Sequence, residues 1–335
     1  MATLRDIPLF TALADSKRIL IAGAGGGFDV YGGLPLAFAL RAAGVEAFLA
    51  NQSFSPLNLL PLDDWLVPDV AVITPTTDDV SEYFPERTLA CWLERNAQPS
   101  TVYAFPQTGV QPLREAYTAL VDALGLDAVI LVDGGTDILM RGDEDGLGTP
   151  AEDMTSLAAV AGQGNIPVKL VVSIGFGIDA YHGVNHVQVL ENLADLETDG
   201  AYLGAFSLPR ASQEGQLYLD AVAHAQQATP IRPSIVHGQI AAAMTGVSGD
   251  VHVTERTRES RLFVNPLMAM YFAVTVEGLA GRHRYLDRLE QTTTIRQVSR
   301  GALTPRPRRV PLWTTAATPR PGVACLAAVA SPDIV

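Results

Sequence analysis

Residues 18–43 read RILIAGAGGGFDVYGGLPLAFALRAA. Arg18–Ala22 is a short apolar run with two isoleucines, typical of a buried strand, and Leu34–Ala43 has the composition of a helix. A glycine-rich turn joins the two, and in this arrangement backbone N–H groups and the start of a helix face a ligand. The segment predicts a first βα unit whose loop contacts a polar or anionic substrate through Gly25, Gly26 and Gly27.

The same alternation of short apolar runs and longer alanine- and leucine-rich segments continues along the chain. Continuous apolar strands are typical of parallel sheets that are covered on both faces. The sequence therefore predicts an α/β fold, a Rossmann-like open, mostly parallel sheet with helices on both faces and a smaller C-terminal layer or subdomain. The further predicted strands are Glu46–Ala50, Val70–Thr74, Thr101–Ala104, Ala128–Asp133, Val168–Ile174 and Gly200–Phe206. The further predicted helices are Glu86–Arg95, Leu113–Leu124, Ala151–Ala161, His182–Leu196, Gln213–Gln227, Gln239–Met244 and Pro266–Leu279.

Changes in composition and in the pattern of predicted elements divide the chain into three parts. Residues 1–233 are predicted to form the Rossmann-like ligand-binding core. Residues 234–303 are predicted to be either the C-terminal part of the same domain or a small α+β subdomain. Residues 304–335, rich in proline, arginine and threonine where they begin, are predicted to be an extended tail segment.

The overall charge and the cysteines limit the class of protein. The net charge is −13, and Lys17 and Lys169 are the only lysines, which argues against a nucleic-acid partner. Cys91 and Cys325 are far apart, which fits a reducing compartment better than a disulfide scaffold. Because no apolar run approaches the roughly 20 residues that cross a bilayer, we expect a cytoplasmic chain without a membrane partner.

The spacing of the glycine loop does not match the dinucleotide-binding fingerprint. Counted from Gly23, the third glycine of Gly-x-Gly-x-x-Gly falls on Phe28, and Asn51 stands where an acidic residue would hold a ribose. Asp29 adds a carboxylate that repels a pyrophosphate unless a cation lies between them. Asp29 is therefore a candidate catalytic residue or, in the plainer interpretation, the cap of the following helix.

Carboxylates gather after the predicted strand Ala128–Asp133. Carboxylates in such a group need a divalent cation, a cationic substrate, a proton or solvent. Asp133 and Asp137 are therefore candidate catalytic residues and candidate ligands of Mg²⁺. Glu152 and Asp153 are explained equally well as the first turn of a helix that Thr149 caps. The candidate substrate contacts in this loop are Gly134, Gly135, Thr136 and, as an anion contact or counter-ion, Arg141.

Similar chemistry follows two more predicted strands. In residues 175–179 Gly175 and Gly177 allow close backbone approach to a substrate, and Asp179 is a candidate catalytic residue. Thr74–Asp79 follows another strand. Because open parallel sheets bind ligands at the carboxyl ends of their strands, we expect these loops to converge.

His237 lies between an apolar run and a predicted helix. A histidine at such a junction is a candidate general acid or base, and a buried structural histidine is at least as good an explanation. No Gly-x-Ser-x-Gly motif is present, so the sequence does not show the nucleophile motif of an α/β serine hydrolase.

Four segments together resemble a prokaryotic family known as domain of unknown function eleven fifty-two: Ile21–Val30, Val132–Asp137, Arg141–Glu144 and Gly175–Asp179. The resemblance covers about Arg18 to Phe272, and Phe28 departs from the run of four glycines associated with the family. It implies a Rossmann-like α/β fold and supplies no reaction.

These observations favour a small-molecule enzyme, a hydrolase or lyase that acts on a polar phosphorylated, nucleotide or sugar-like substrate through clustered aspartates, with Mg²⁺ as the expected cation. One alternative is an NAD(P)- or nucleotide-dependent oxidoreductase with a non-standard glycine loop. Another is a non-catalytic metabolite-binding protein. A homodimer through the apolar C-terminal part is compatible with the sequence.

Overall fold

The computed structural model describes residues 3–144, 150–260, 262–302 and Pro311. Within these residues the strands form one nine-stranded sheet. The strands are β1 (Arg18–Gly23), β2 (Glu46–Gln52), β3 (Trp65–Val67), β4 (Val70–Ile73), β5 (Val102–Phe105), β6 (Ala128–Asp133), β7 (Val168–Ile174), β8 (Tyr202–Ser207) and β9 (Met270–Thr275). Their order across the sheet is β3-β4-β5-β2-β1-β6-β7-β9-β8.

The centre of the sheet is parallel and its margins are antiparallel. β5, β2, β1, β6 and β7 run in one direction. On one side β4 runs against β5 and β3 against β4, and on the other side β9 runs against both β7 and β8. The predicted α/β class is confirmed.

Helices cover both faces of the sheet. Ile19 and Ile21 of β1 belong to one core, while Leu20 and Ala22 belong to the other, as side-chain alternation along a strand requires. The first core is covered by α1 (Pro8–Ala12), α2 (Leu34–Ala42), α3 (Pro85–Arg95), α7 (Gln213–Ala228) and α8 (Ile235–Met244). The second core is covered by α4 (Val110–Leu124), α5 (Pro150–Ala161), α6 (His186–Thr198), α9 (Val276–Arg282) and α10 (Ile295–Ala302).

The prediction of one helix over Pro266–Leu279 is wrong. A 3-10 turn (Pro266–Ala269), strand β9 and helix α9 replace it. Met270–Thr275 is apolar up to its last residue, and such a run has no periodicity that separates a buried strand from a buried helix. Its aromatic and β-branched residues favour a strand. Thr275 ends the strand and starts α9, because its hydroxyl accepts a hydrogen bond from the Gly278 N–H at 3.2 Å.

Strand β9 brings residues from the predicted C-terminal part into the same sheet as the N-terminal strands. The predicted tail segment, residues 304–335, lies outside the described residues apart from Pro311. Among the described helices, none has the length and apolar character needed to cross a membrane.

The order of the strands reverses direction beside β1, at the carboxyl edge of the parallel strands. The chain continues from β1 to β2 on one side and returns to β6 on the other, which is the arrangement in which open α/β sheets bind ligands. Gly23, the last residue of β1, pairs with Val132, and Asp133 pairs with Ser173. The loops that follow β1, β6 and β7 therefore start at one edge.

The loop Thr74–Asp79 does not join them, so the expected convergence is wrong for this segment. β4 is antiparallel to β5, and Ile73 at the end of β4 pairs with Val102 at the start of β5. The carboxyl end of β4 consequently lies at the opposite edge of the sheet.

Candidate functional site

The glycine loop holds its own carboxylate. The Gly25 N–H donates a hydrogen bond to Asp29 Oδ2 at 2.7 Å, so this amide is not free for a phosphate. Gly26 and Gly27 have φ values of 89° and 63°, left-handed conformations that glycine adopts without strain. The turn they form leads into a 3-10 turn that begins at Asp29. The loop thus presents a half-buried carboxylate at the carboxyl end of β1.

The β6 loop packs its glycines against two of the predicted catalytic aspartates. A Cβ atom on Gly134 would lie 2.8 Å from Asp29 Oδ1, and one on Gly135 would lie 2.8 Å from Asp179 Oδ2. At such distances a side chain at either position would displace the carboxylate it meets, so the observed arrangement depends on both glycines. The pair Gly134-Gly135 therefore lets Asp29 and Asp179 approach the backbone that follows the buried Asp133.

Asp179 is held by the residue that follows those glycines. Its Oδ2 accepts hydrogen bonds from the Thr136 N–H at 2.7 Å and from the Thr136 hydroxyl at 3.3 Å. Gly175 and Gly177 have φ values of 102° and 88° and form the turn between β7 and Asp179. These two glycines shape the backbone that brings Asp179 back over β6.

A fourth carboxylate comes from α5. Asp153 is 4% exposed, and a Cβ atom on Gly25 would lie 2.8 Å from its Oδ1 and 2.7 Å from Asp29 Oδ2. The Ser156 hydroxyl donates to the Ala24 carbonyl at 2.8 Å, which ties α5 to the glycine loop. The sequence signal for Asp153 was an acidic first turn, which capping also explained; the proposed cap, Thr149, lies outside the described residues.

We call Asp29, Asp133, Asp137, Asp153 and Asp179 the acidic cluster. Ligating oxygens of Asp29, Asp133 and Asp153 lie within 4.8 Å of one another. Asp133 Oδ2 and Asp153 Oδ1 are buried and have no hydrogen-bond partner. Leaving such an atom unpaired is costly, and a divalent cation between them would satisfy both. The metal ligands predicted from sequence were Asp133 and Asp137; the geometry favours Asp29, Asp133 and Asp153.

Burial and mutual repulsion hold protons on this cluster. Burial, followed by the charge of the 7%-exposed Asp137, raises the pKa of Asp133 and of Asp153 well above the usual range of a carboxyl, and the same two causes raise that of Asp179. Burial raises the pKa of Asp29 to about 8, and Asp137 is again the strongest neighbouring charge. The cluster can therefore bind a cation by releasing protons near neutral pH.

His237 lies behind the glycine loop with both ring nitrogens occupied. Nε2 is 2.8 Å from the Phe28 carbonyl and Nδ1 is 2.8 Å from the Tyr218 hydroxyl. A carbonyl only accepts, so Nε2 carries the proton and Nδ1 accepts from Tyr218. Burial lowers the pKa of His237 to about 4, which keeps the ring neutral. We assign His237 to positioning the loop, in place of the expected acid or base role.

Arg141 pairs away from the cluster. Its guanidinium lies 3.8 Å from Asp195 and 4.0 Å from Asp143. It shares a cavity with Arg282, Arg284 and residues at the C-terminal end of α6. The expected substrate contact of Arg141 is therefore replaced by ion pairs on another part of the surface.

Two buried residues that support the loop were not predicted as site residues. Asn51 Nδ2 donates to the Gly27 carbonyl at 2.8 Å and to Glu86 Oε1 at 2.7 Å. Burial raises the pKa of Glu86 to about 7, while the bond from Asn51 opposes this shift. The amide thus connects the end of β2 to the glycine loop and to α3. The sequence placed Asn51 at a strand end but could not show what its side chain contacts.

The family described as Protein of unknown function (DUF1152) matches residues 67–304. The match includes Asp133, Asp137, Asp153 and Asp179, and it begins after the glycine loop. No curated protein and no solved structure matches the chain. Since the family match covers well over half of the 335 residues, the chain belongs to the DUF1152 family of proteins of unknown function.

Proposed function

We propose that the protein is a metal-assisted hydrolase or lyase that acts on a polar, phosphorylated small molecule at the acidic cluster. The observation that carries this proposal is the pair of buried, unpartnered oxygens on Asp133 and Asp153 beside the half-buried Asp29. Oxygen ligands of this kind suit Mg²⁺ or Mn²⁺. A bound divalent cation would polarise a phosphoryl or carbonyl oxygen of the substrate.

The residues of the cluster divide into different roles. Asp133 and Asp153 are buried and suited to holding the cation, whereas Asp29 is more exposed. Before a cation binds, burial raises the pKa of Asp29 to about 8, so Asp29 would release its proton near neutral pH as the cation enters and would complete the set of oxygen ligands. Asp179, which accepts a hydrogen bond from the Thr136 N–H, would orient a substrate hydroxyl.

The negative charge of the cluster also limits the substrate. A phosphate cannot approach five aspartates unless a cation or protons reduce their charge. The Gly25 amide of the glycine loop does not compensate for this charge, because it is bonded to Asp29. A phosphorylated substrate would therefore enter together with the metal. A homodimer and a cytoplasmic location remain expectations of the sequence.

The proposal is tested by titrating Mn²⁺ into the protein by calorimetry, followed by a thermal-shift screen of nucleotides, sugar phosphates and amino-acid derivatives with and without the metal. Wild type is compared with Asp133→Asn and with a control at the exposed Asp63, Asp63→Asn. We expect Mn²⁺ binding in wild type and the control and its loss in Asp133→Asn. At 100 times the dissociation constant, a ligand stabilises the fold by about 2.7 kcal/mol.

Asp133→Asn should also stabilise the metal-free protein at pH 8 by about 1–2 kcal/mol, since a neutral amide avoids the cost of burying a carboxyl group that is ionised in the unfolded chain. Ligands that shift the melting temperature are then tested for turnover by product analysis. Metal-dependent binding without any product would indicate the metabolite-binding alternative. Stabilisation by NAD(P) alone, unaffected by Asp133→Asn, would favour the oxidoreductase, and absence of Mn²⁺ binding to wild type would refute the proposal.

A further inference from the structure

An exposed aromatic ring borders the glycine loop on the side of β2. Phe54 follows β2 by two residues and is 46% exposed. A Cβ atom on Gly26 would lie 2.9 Å from its Cε1, and one on Gly27 would lie 3.3 Å from its Cε2. One part of the ring therefore packs on the glycines while the rest remains open to solvent beside the candidate site.

The backbone that carries Phe54 is fixed on both sides. The Ser53 N–H donates to the Phe105 carbonyl at 2.8 Å, and the Ser55 hydroxyl donates to the Tyr83 carbonyl at 2.8 Å. The Ser55 N–H also donates to Ser53 Oγ at 3.1 Å. Both serines are buried. The exposed ring thus belongs to a preorganised segment, which is the arrangement that reduces the entropy cost of binding a ligand.

Tyr83 and two arginines lie on the same side of the loop. A Cβ atom on Gly27 would lie 2.8 Å from the Tyr83 hydroxyl. The guanidinium carbon of the exposed Arg232 lies 5.9 Å from the centre of the Tyr83 ring. Burial raises the pKa of Tyr83, the charges of Glu86 and then Asp29 add to this shift, and the charges of Arg256 and Arg232 oppose it. The hydroxyl therefore lies within electrostatic reach of both the acidic cluster and these cations.

The aromatic ring and the acidic cluster are close enough for one small ligand to contact both. Gly25 contacts Asp29 and Asp153, and Gly26 and Gly27 contact Phe54. The Cα atoms of residues 25 and 27 are at most about 7.6 Å apart, because consecutive Cα atoms are 3.8 Å apart. A mononucleotide is long enough to extend over this distance.

We propose that the site takes a nucleoside phosphate, whose base stacks on Phe54 and whose phosphate lies toward the metal of the acidic cluster, with Arg232 as an additional cation. This inference deepens the proposed function and rests on it for the position of the phosphate. Stacking requires only the flat face of the base, so Phe54 sets the class of ligand rather than the identity of the base. It is a specificity-determining residue that nothing in the glycine motif indicated.

The test compares ligands that differ only in the base. AMP and ribose 5-phosphate are titrated by calorimetry, in the presence of Mn²⁺, into wild type and into Phe54→Leu, Phe54→Ala and Phe54→Trp. We expect wild type to bind AMP more tightly than ribose 5-phosphate. Phe54→Leu and Phe54→Ala should weaken AMP binding about 5- to 150-fold and leave ribose 5-phosphate unchanged, while Phe54→Trp retains AMP binding.

The controls separate this inference from the proposed function. Leu62→Ala changes a residue that is 89% exposed and should have no effect. Phe54→Leu keeps an apolar contact on the glycine loop, and unchanged Mn²⁺ affinity would show that the loop is intact. Mn²⁺ binding without preference for AMP, or equal weakening of both ligands in Phe54→Leu, would overturn the inference and leave the metal site standing. Phe54-dependent AMP binding without Mn²⁺ binding would overturn the metal site instead.

Discussion

At the scale of single residues, His237 shows how a histidine can serve a site without taking part in the chemistry. Its neutral ring links the Phe28 carbonyl of the glycine loop to the Tyr218 hydroxyl of α7. Because both nitrogens are used and the ring is buried, the protein gains a connection between the loop and the helix layer. The ring does so in its uncharged form.

We predict that His237→Ala lowers the free energy of unfolding by roughly 2–4 kcal/mol at pH 7, since it leaves the partners of both nitrogens unpaired. The pKa of His237 is lowered to about 4 in the folded protein, against an ordinary value of 6.5. Its stabilising contribution is therefore complete above pH 6.5 and is lost as the pH falls toward 4. Denaturant unfolding at several pH values measures this.

The difference between wild type and His237→Ala should accordingly shrink between pH 6.5 and 4. His252→Ala, which changes an exposed histidine, serves as the control and should be nearly neutral. A catalytic His237 would give the opposite pattern, with unfolding close to that of wild type and a loss of turnover alone.

Part of the candidate site could be predicted from the types of residue at the ends of the predicted strands. Asp29, Asp133 and Asp179 could be named from sequence because each lies just after the carboxyl end of an apolar strand or at its last residue. Asp153 could be named only as an alternative, since its position beside Gly25 depends on how α5 packs. Arg141 has the right chemistry, but it also pairs with Asp195, a residue distant in sequence, and no local pattern reports such a contact.

At the scale of elements, the glycine loop and the first turn of α5 work as one unit. Gly25 lies against both Asp29 and Asp153, and Ser156 bonds to Ala24. The loop can bring the two carboxylates together only because residue 25 has no side chain. Its φ is not in the left-handed region, so the requirement is one of space rather than of backbone conformation.

We predict that Gly25→Ala weakens Mn²⁺ affinity at least tenfold, because the added methyl group would displace the two carboxylates. Gly164→Ala is the matched control, since nothing lies within 4 Å of a Cβ atom at residue 164; this change should alter the stability by less than about 0.5 kcal/mol. Calorimetric titration of Mn²⁺ measures both. Equal affinities for the two variants would show that the carboxylates near Gly25 do not bind the metal.

The strands of the parallel centre were all predictable; of the four marginal strands, β4 and β8 were predicted and β3 and β9 were not. Buried strands between helices have a clear composition, and all seven predicted strands are present within one or two residues. β3 has three residues and is too short to give a pattern. β9 was predicted as part of a helix because a continuous apolar run has no periodicity that separates a strand from a helix. Its position in the sheet, between β7 and β8, also depends on pairing with two strands that are distant in sequence.

At the scale of the whole molecule, the cluster makes stability depend on pH and metal together. The pKa of Asp29 rises from 3.8 to about 8 on folding, and that of Glu86 from 4.5 to about 7. For raised carboxyl pKa values, the stabilising contribution is present at low pH and is lost as the pH rises through the folded value. Above pH 6.5 the opposing contribution of His237 is complete and no longer changes.

We therefore predict that the melting temperature of the metal-free protein falls between pH 6.5 and 8.5. Each proton that the folded state still holds and the unfolded state has lost lowers the stability by up to about 1.4 kcal/mol per pH unit. Saturating Mn²⁺ should remove much of the decline, because the cation takes the place of the protons. Scanning calorimetry of wild type and Asp29→Asn measures this, and the variant should show a shallower decline. A melting temperature that rises over this range would contradict the charge state assigned to the cluster.

The position of β9 has a consequence for synthesis on the ribosome. Within the described part of the chain, β8 joins the sheet only through β9, and β7 has β9 as its outer neighbour. The turn that carries Asp179 is also fixed late, since the Gly175 N–H donates to the Met268 carbonyl at 3.0 Å. A nascent chain that has not reached residue 268 exposes an unfinished sheet edge, which invites aggregation. At that stage all five aspartates of the acidic cluster have been synthesised, but the sheet that orients them is completed only when β9 emerges from the ribosome.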